Sequence, residues 1–271
     1  LLKKKSIPIY FVSSIFRNDQ LFFKWYGGWY RKMLKKVTHF FLQNQESAEL
    51  LQSLGIKHYS VVGDTRFDRV AHIFENVKPI PAVEQFLGSQ KAIIAGSSWK
   101  AEEALLMQYY RINPAFKLII VPHEVTDENI QRIKNQFGGN VICLSEISST
   151  IGKEKNVLIV DSYGMLTSLY QYGYIAIVGG GFGAGIHNIL EAATFGMPIV
   201  IGPNYQKFKE AIDMVALHCA FTVLNIEEFN AVMNHLLKDP TLVFSISKIA
   251  SDYVKSNVGA TSKILDFVFN K

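Results

Sequence analysis

The chain's densest cluster of chemically useful residues is VGGGFGAGIHNILEAATFGMP, residues 178–198. An apolar run, Ile175–Val178, enters five glycines within seven residues, Gly179, Gly180, Gly181, Gly183 and Gly185. A helical pattern follows from Ile186 to Phe195. Such glycines let backbone N–H groups approach an anion, and a helix N-terminus adds favourable partial charge. No Gly-Lys-Ser/Thr follows, so this is not a P-loop, and it is only loosely a GxGxxG. Asn188 and Glu191, three residues apart, share one face of the expected helix. An amide can bond a phosphate or carboxylate, and a carboxylate can accept from two ribose hydroxyls. The group therefore reads as a nucleotide site, with a glycine turn carrying two capping residues as the plainer alternative.

Three more loops follow apolar runs. Gly96-Ser97-Ser98 offers hydroxyls and N–H groups to an anion, or a simple helix N-cap. Pro122-His123-Glu124 closes a very apolar run and is either a site loop or an exposed turn. Asp161–Leu166 (DSYGML) leads into a helical pattern whose first N–H groups could hold a nucleobase edge, or Asp161 could be a cap. Other chemistry is thin. The seven histidines show no HExxH or paired metal spacing, and we expect neither metal nor cofactor. There is no G-x-S-x-G elbow, and Cys143 and Cys219 suit a reducing compartment better than a disulfide framework. Asp64 and Asp68 in GDTRFDRV alternate with Arg66 and Arg69, which suggests a local ion-pair network.

Elements must hold these loops. With 271 residues, 49% hydrophobic and 19% charged, the chain can build about two domains and is not disordered. No apolar run approaches the ~18–20 residues of a spanning helix. Strands are expected at 7–13, 39–43, 59–62, 91–95, 116–121, 140–143, 157–160, 175–178 and 198–201. Helices are expected at 21–36, 45–54, 102–111, 126–137, 165–171, 186–195 and from 207 onward. This alternation implies βαβ units and a parallel sheet, with ligands at the strands' carboxyl ends. The stretch 64–81 carries two prolines and no clear strand, and reads as the interdomain link. The expected domains are 1–64 and 65–271, with a late helix near 241–257 crossing back. The chain opens on Leu1, and LLKKKSIPIYFVSS reads as a helix end running into a strand, as though the sequence enters mid-domain.

Charge is uneven. Residues 1–69 hold 12 Lys/Arg against 5 Asp/Glu, and the remainder 16 against 18. Leu21–Leu42 mixes eight aromatics with Lys24, Arg31, Lys32, Lys35 and Lys36. Three readings stand: a packed helix with a solvated basic face, an anionic-lipid surface, or stacking and phosphate contacts to nucleic acid.

In order along the chain, GDTRFDRV (63–70), AGSSW (95–99), LIIVPHE (118–124), VLIVDSYGML (157–166) and GGGFGAGIHNILEAATFGMPIVIGPNYQKFKEA (179–211) closely resemble the 3-deoxy-D-manno-octulosonic acid (Kdo) transferases of lipid A biosynthesis, in a Bacteroides-like form. The resemblance extends to FFKWYGGWYRKML near the start. It implies a GT-B glycosyltransferase fold, two Rossmann-like parallel-sheet domains with the nucleotide held by the C-terminal one, the N-terminal one incomplete here. It implies inverting, metal-independent transfer of Kdo from CMP-Kdo to lipid IVA at the cytoplasmic face of the bacterial inner membrane. The partners implied are the CMP-Kdo donor, the lipid A precursor and the membrane surface, with no nucleic acid.

The family's CMP contacts map to Pro122, His123, Gly164, Met165, Leu166, Asn188, Ile189, Leu190 and Glu191. Ser97, Ser98, Gly181, Gly183 and Arg66 are further candidates for phosphate or donor contact. His123 departs from the arginine that many relatives carry after the proline. The family's general base, a glutamate early in the N-terminal domain, has no match in residues 1–60, so this chain alone is expected to be inactive. Another GT-B nucleotide-sugar enzyme (a UDP-sugar transferase or 2-epimerase) or a non-catalytic nucleotide-binding fragment is the alternative.

Overall fold

All strand pairs in the computed structural model, which describes residues 5–148 and 152–270, run parallel in two sheets. The helix end read at Leu1–Lys4 lies outside the described residues. Each sheet belongs to its own compact unit, one taking the chain up to Ala71 and from Lys255, the other His72–Val254.

The first unit has three strands, β1 (Tyr10–Ser14), β2 (His39–Leu42) and β3 (Tyr59–Val61), in that order across the sheet. Consecutive strand residues face opposite sides, so β2 buries both of its phenylalanines. Phe40 packs with Phe16, Leu34, Leu51 and Ile56 on one side, and Phe41 with Val62, Ala260 and Ile264 on the other. Of the second set, Ala260 and Ile264 come from the helix Ala260–Phe269. Asp68 fastens that helix's start by accepting from Gly259 N at 2.7 Å and Thr261 N at 3.1 Å. Asp64 instead pairs with Arg66 at 2.7 Å. Of the two aspartates read as one ion-pair network, one is thus a helix anchor.

The helix expected over 21–36 is broken. A 3-10 turn, Leu21–Phe23, and a helix, Gly28–Leu34, flank Lys24–Gly27. At Gly27 the chain passes so close to Leu21 that a Cβ would lie 2.1 Å from its carbonyl oxygen. Arg31 donates to the carbonyls of Phe22 and Lys24 at 3.2 and 2.9 Å, satisfying acceptors the break exposes. The stretch 64–81 carries a helix, Thr65–Asn76, and the units divide within it.

The second unit holds β4 (Ala92–Ser98), β5 (Lys117–Pro122), β6 (Val141–Cys143), β7 (Val157–Ile159), β8 (Gly173–Val178), β9 (Ile199–Ile201) and β10 (Ala220–Thr222). Their order is β10-β9-β8-β4-β5-β7-β6. Central strands such as AIIA and LIIV are buried throughout, as a sheet covered by helices on both faces requires. The chain grows outward from β4 in one direction, then returns to lay β8 along β4's other edge. This reversal opens a crevice at the carboxyl ends of β4 and β8.

The helix expected over 186–195 is only Leu190–Thr194. Gly180 and Gly185 take positive φ of 91° and 139°, and Asn188 Oδ1 accepts from Leu190 N at 3.2 Å. Such local amide bonding competes with the helix and delays its start. A helix at Pro81–Leu87, strand β10 and a helix at Ile226–Lys238 complete the unit without having been foreseen.

Candidate nucleotide site

Two clefts open at the carboxyl ends of the central strands. One, about 550 Å³, is lined by Ser98–Glu102, Glu124, Arg132 and the glycine loop through His187. The other, about 500 Å³, is lined by Ser97, Val121–Val125, Ser162–Gly164 and Leu166. The sheet thus brings together the four post-strand loops read from the sequence.

Buried carboxylates brace the first cleft from below. Glu102 and Glu103 open the helix Lys100–Ile112, yet both are almost fully buried. Glu102 Oε1 accepts from Gly180 N at 2.9 Å and its Oε2 from Trp99 N at 3.2 Å, so one side chain ties the loops after β4 and β8 together. Burial pushes the Glu102 carboxyl above the usual carboxylate range, opposed by backbone N–H groups including those of Trp99, Gly180 and Phe182. Glu103 accepts from Ser98 Oγ at 2.9 Å and pairs with Arg132. Neither glutamate carried a signal in the sequence, where acids at a helix start need no further explanation.

The glycine loop is tightly self-bonded. N–H groups of Gly179, Gly183, Gly185 and His187 donate to backbone carbonyls, and that of Gly180 to Glu102. Gly181 lies against Gly202, where a Cβ would meet the Gly202 nitrogen at 2.6 Å, whereas at Gly183 the nearest atom is 3.7 Å away.

Asn188 and Glu191 do meet. Asn188 Nδ2 donates to Glu191 Oε1 at 3.1 Å, and Thr167 Oγ1 donates to Glu191 Oε2 at 2.7 Å. Thr167 sits in the helix Leu166–Leu169, so Glu191 links the β8 loop to the loop after β7. Ile189 and Leu190 are fully buried, which leaves their backbone as the part able to touch a ligand. Gly164 takes a φ of 84° with open space around its Cα. Asp161 accepts from the Ser145 amide and hydroxyl and so holds its own loop.

Ser98 Oγ, a candidate phosphate contact, is spent on Glu103, while Ser97, at φ 49°, lines the second cleft. Arg66 stands in the first unit, paired with Asp64. Sequence reading missed an aromatic stack: His123 lies 4.5 Å from Trp99 and 4.5 Å from His187 between ring centroids, tilted by 23° and 24°. The three rings come from three different loops.

Parallel strands in this order, with clefts at their carboxyl ends, define an α/β fold of the GT-B type. The C-terminal CMP-Kdo binding domain of WaaA from Acinetobacter baumannii matches 69% of this chain and 96% of its own, at a TM-score of 0.55 and 20% identity. A UDP-N-acetylglucosamine 2-epimerase matches 100% of this chain and 68% of its own, at 0.66 and 14%. At these identities the likeness is one of fold.

Residues 1–69 match the family model described as 3-deoxy-D-manno-octulosonic-acid transferase (kdotransferase). Over 210 residues the chain is 30% identical to the 3-deoxy-D-manno-octulosonic acid transferase of Aquifex aeolicus, covering 75% of this chain and 55% of that protein. It is 28% identical over 210 residues to a bifunctional glycosyltransferase/methyltransferase of Fusobacterium nucleatum, covering 73% and 32%. The chain is thus similar to the Kdo transferases, in its first 69 residues to the family model and over 210 residues to the Aquifex aeolicus protein. It spans roughly a third to a half of the length of these two relatives.

Proposed function

We propose that this chain carries the donor-binding half of a glycosyltransferase that moves Kdo from CMP-Kdo to the lipid A precursor lipid IVA in lipopolysaccharide biosynthesis. The observation that supports the reading is Glu191, held by Thr167 and Asn188 where the β7 and β8 loops meet; it lines neither cleft itself, but Leu166, next to Thr167, lines the cleft shared by Pro122, His123 and Gly164. A fixed carboxylate there can accept from both ribose hydroxyls. Backbone groups of Gly164, Met165 and Leu166 meet the base edge, and those of Ile189 and Leu190 support the ribose side.

The reaction is an inverting displacement. The acceptor hydroxyl attacks the Kdo anomeric carbon, the bond from that carbon to the phosphate oxygen breaks, and CMP leaves with the electron pair. The acceptor's proton passes to a general base, which is assigned to no residue of this chain. Charge growing on the departing phosphate is met by hydrogen-bond donors, Ser97 and His123 among them, without a metal.

The first unit fits a lipid surface. Trp25 is 90% exposed and Trp29 67%, beside exposed Lys32, Lys35 and Lys36. Aromatic anchors with lysines suit a headgroup layer. Among the described residues no helix is long and apolar enough to cross a membrane. The reading is association with the cytoplasmic face of the bacterial inner membrane, peripheral or N-terminally anchored in the full-length protein.

The test is transfer by the native enzyme in detergent, given CMP-Kdo, lipid IVA and EDTA. CMP release with a Kdo-bearing acceptor supports the reading. Turnover of a UDP-sugar in place of CMP-Kdo, or loss of transfer on adding EDTA, contradicts it.

A further inference from the structure

The aromatic stack stands where the two clefts meet. Trp99 and His187 line the glycine-loop cleft, His123 lines the other, and Glu124 borders both. A nucleotide sugar with its nucleoside in one cleft and its sugar in the other must carry its phosphate across this partition. Resting on the nucleotide-site reading above, we infer that Trp99, His123 and His187 form a proton-coupled phosphate clamp, in which His123 takes up a proton as the phosphate binds.

Geometry assigns the proton to His123. An indole N–H only donates, so the 3.1 Å bond from Trp99 Nε1 to His187 Nε2 requires a lone pair on that imidazole nitrogen. His187 is therefore the neutral ring, carrying its hydrogen on Nδ1. Burial, and then the nearby His123, hold it below the usual imidazole range. His123 lies across one face of this hydrogen-bonded pair, 4.5 Å from the indole and 4.5 Å from the neutral imidazole between ring centroids. A cation over an indole face is favoured, and two stacked imidazolium rings would repel. The stack thus accepts one positive charge, placed at the solvent-facing ring.

The surrounding charges allow this. Arg132 is committed to Glu103, and Glu102 to backbone N–H groups. Tyr163 accepts from Val125 N at 3.1 Å with its hydroxyl oxygen. Glu124 and Lys100 remain at the rims with opposite sign. A dianionic phosphate arriving at the partition supplies the charge that draws a proton onto His123. The chain would thereby obtain with a titratable ring the charge that a fixed arginine gives permanently.

Calorimetry of the 271-residue chain with CMP, in two buffers of unlike ionisation enthalpy, tests this. Above about pH 7 the phosphate of CMP is already dianionic, its second pKa being near 6. Proton uptake there belongs to the protein. We expect net proton uptake on binding and an apparent Kd that rises as the pH is raised above about 7. His123→Arg should bind CMP with no uptake and a flat pH dependence. His123→Gln should lose both the uptake and at least tenfold in affinity at pH 7, with thermal unfolding confirming that each variant is folded. Cytidine, lacking phosphate, should bind without uptake. CMP binding with no proton uptake, or uptake that persists in His123→Arg, overturns the clamp while leaving the nucleotide site standing. No CMP binding at any pH overturns both.

Discussion

The Gly180 amide donates to Glu102 Oε1 at 2.9 Å, which fastens the glycine loop after β8 to the helix that follows β4. The two loops flanking the sheet's point of reversal therefore move as one piece. Glu102→Ala would leave the Gly180 and Trp99 amides without acceptors in a buried place. We expect a loss of about 2–4 kcal/mol in unfolding free energy, together with weaker nucleotide binding. Glu102→Gln keeps an acceptor for Gly180 and should cost about 1 kcal/mol. Urea unfolding of the two variants separates these outcomes.

Glu191 is held from two sides by Thr167 and Asn188. Glu191→Gln keeps the size and loses the charge that the ribose hydroxyls would meet. CMP affinity should fall roughly tenfold to a hundredfold, with thermal stability little changed. Titration of wild type and variant under one buffer condition checks it, and an unchanged Kd would remove Glu191 from the ribose role.

Gly181 and Gly183 sit two residues apart in one loop but differ in their surroundings. A Cβ at Gly181 would lie 2.6 Å from backbone nitrogen, an overlap no side-chain rotation relieves, whereas at Gly183 it meets its nearest atom at 3.7 Å. Gly181→Ala should destabilise by about 2–3 kcal/mol. Gly183→Ala should stay within about 0.5 kcal/mol. Denaturant midpoints of the pair report the difference.

Acid should weaken the fold partly through His187, which burial first and His123 second hold below the usual imidazole range. As pH falls below about 6.5 the unfolded chain takes up this proton while the native ring remains neutral. The stability His187 contributes is thus fully present above that pH and is lost as pH falls towards its depressed value. Melting temperatures from about pH 7.5 to 5.5 should drop less steeply in His187→Gln than in wild type. Equal slopes would show that the ring titrates alike in both states.

The parallel sheets were legible because their strands are buried on both faces and so read as short apolar runs such as AIIA and LIIV, spaced by helical periods. Asn188 and Glu191 were legible as a pair and they do touch, though not as neighbours on one helix: Asn188 precedes the helix and reaches Glu191 while accepting from Leu190 N. The late start of the following helix was not, since glycine φ values and the Asn188–Leu190 bond outweigh an apolar periodicity that continues through Ile186. Glu102 and Glu103 looked like ordinary acids of a first helical turn. Their partners, Gly180 and Arg132, lie 78 and 29 residues away and become visible only in the fold. The Trp99–His123–His187 stack joins three loops and has no signature in any one of them.

The most direct test of a CMP-sugar site in this chain is calorimetric titration with CMP and, separately, UMP, with EDTA present and absent. On the proposed function, CMP should bind at least tenfold more tightly than UMP, with EDTA making no difference. Equal or tighter binding of UMP, or loss of CMP binding in EDTA, would contradict the assignment.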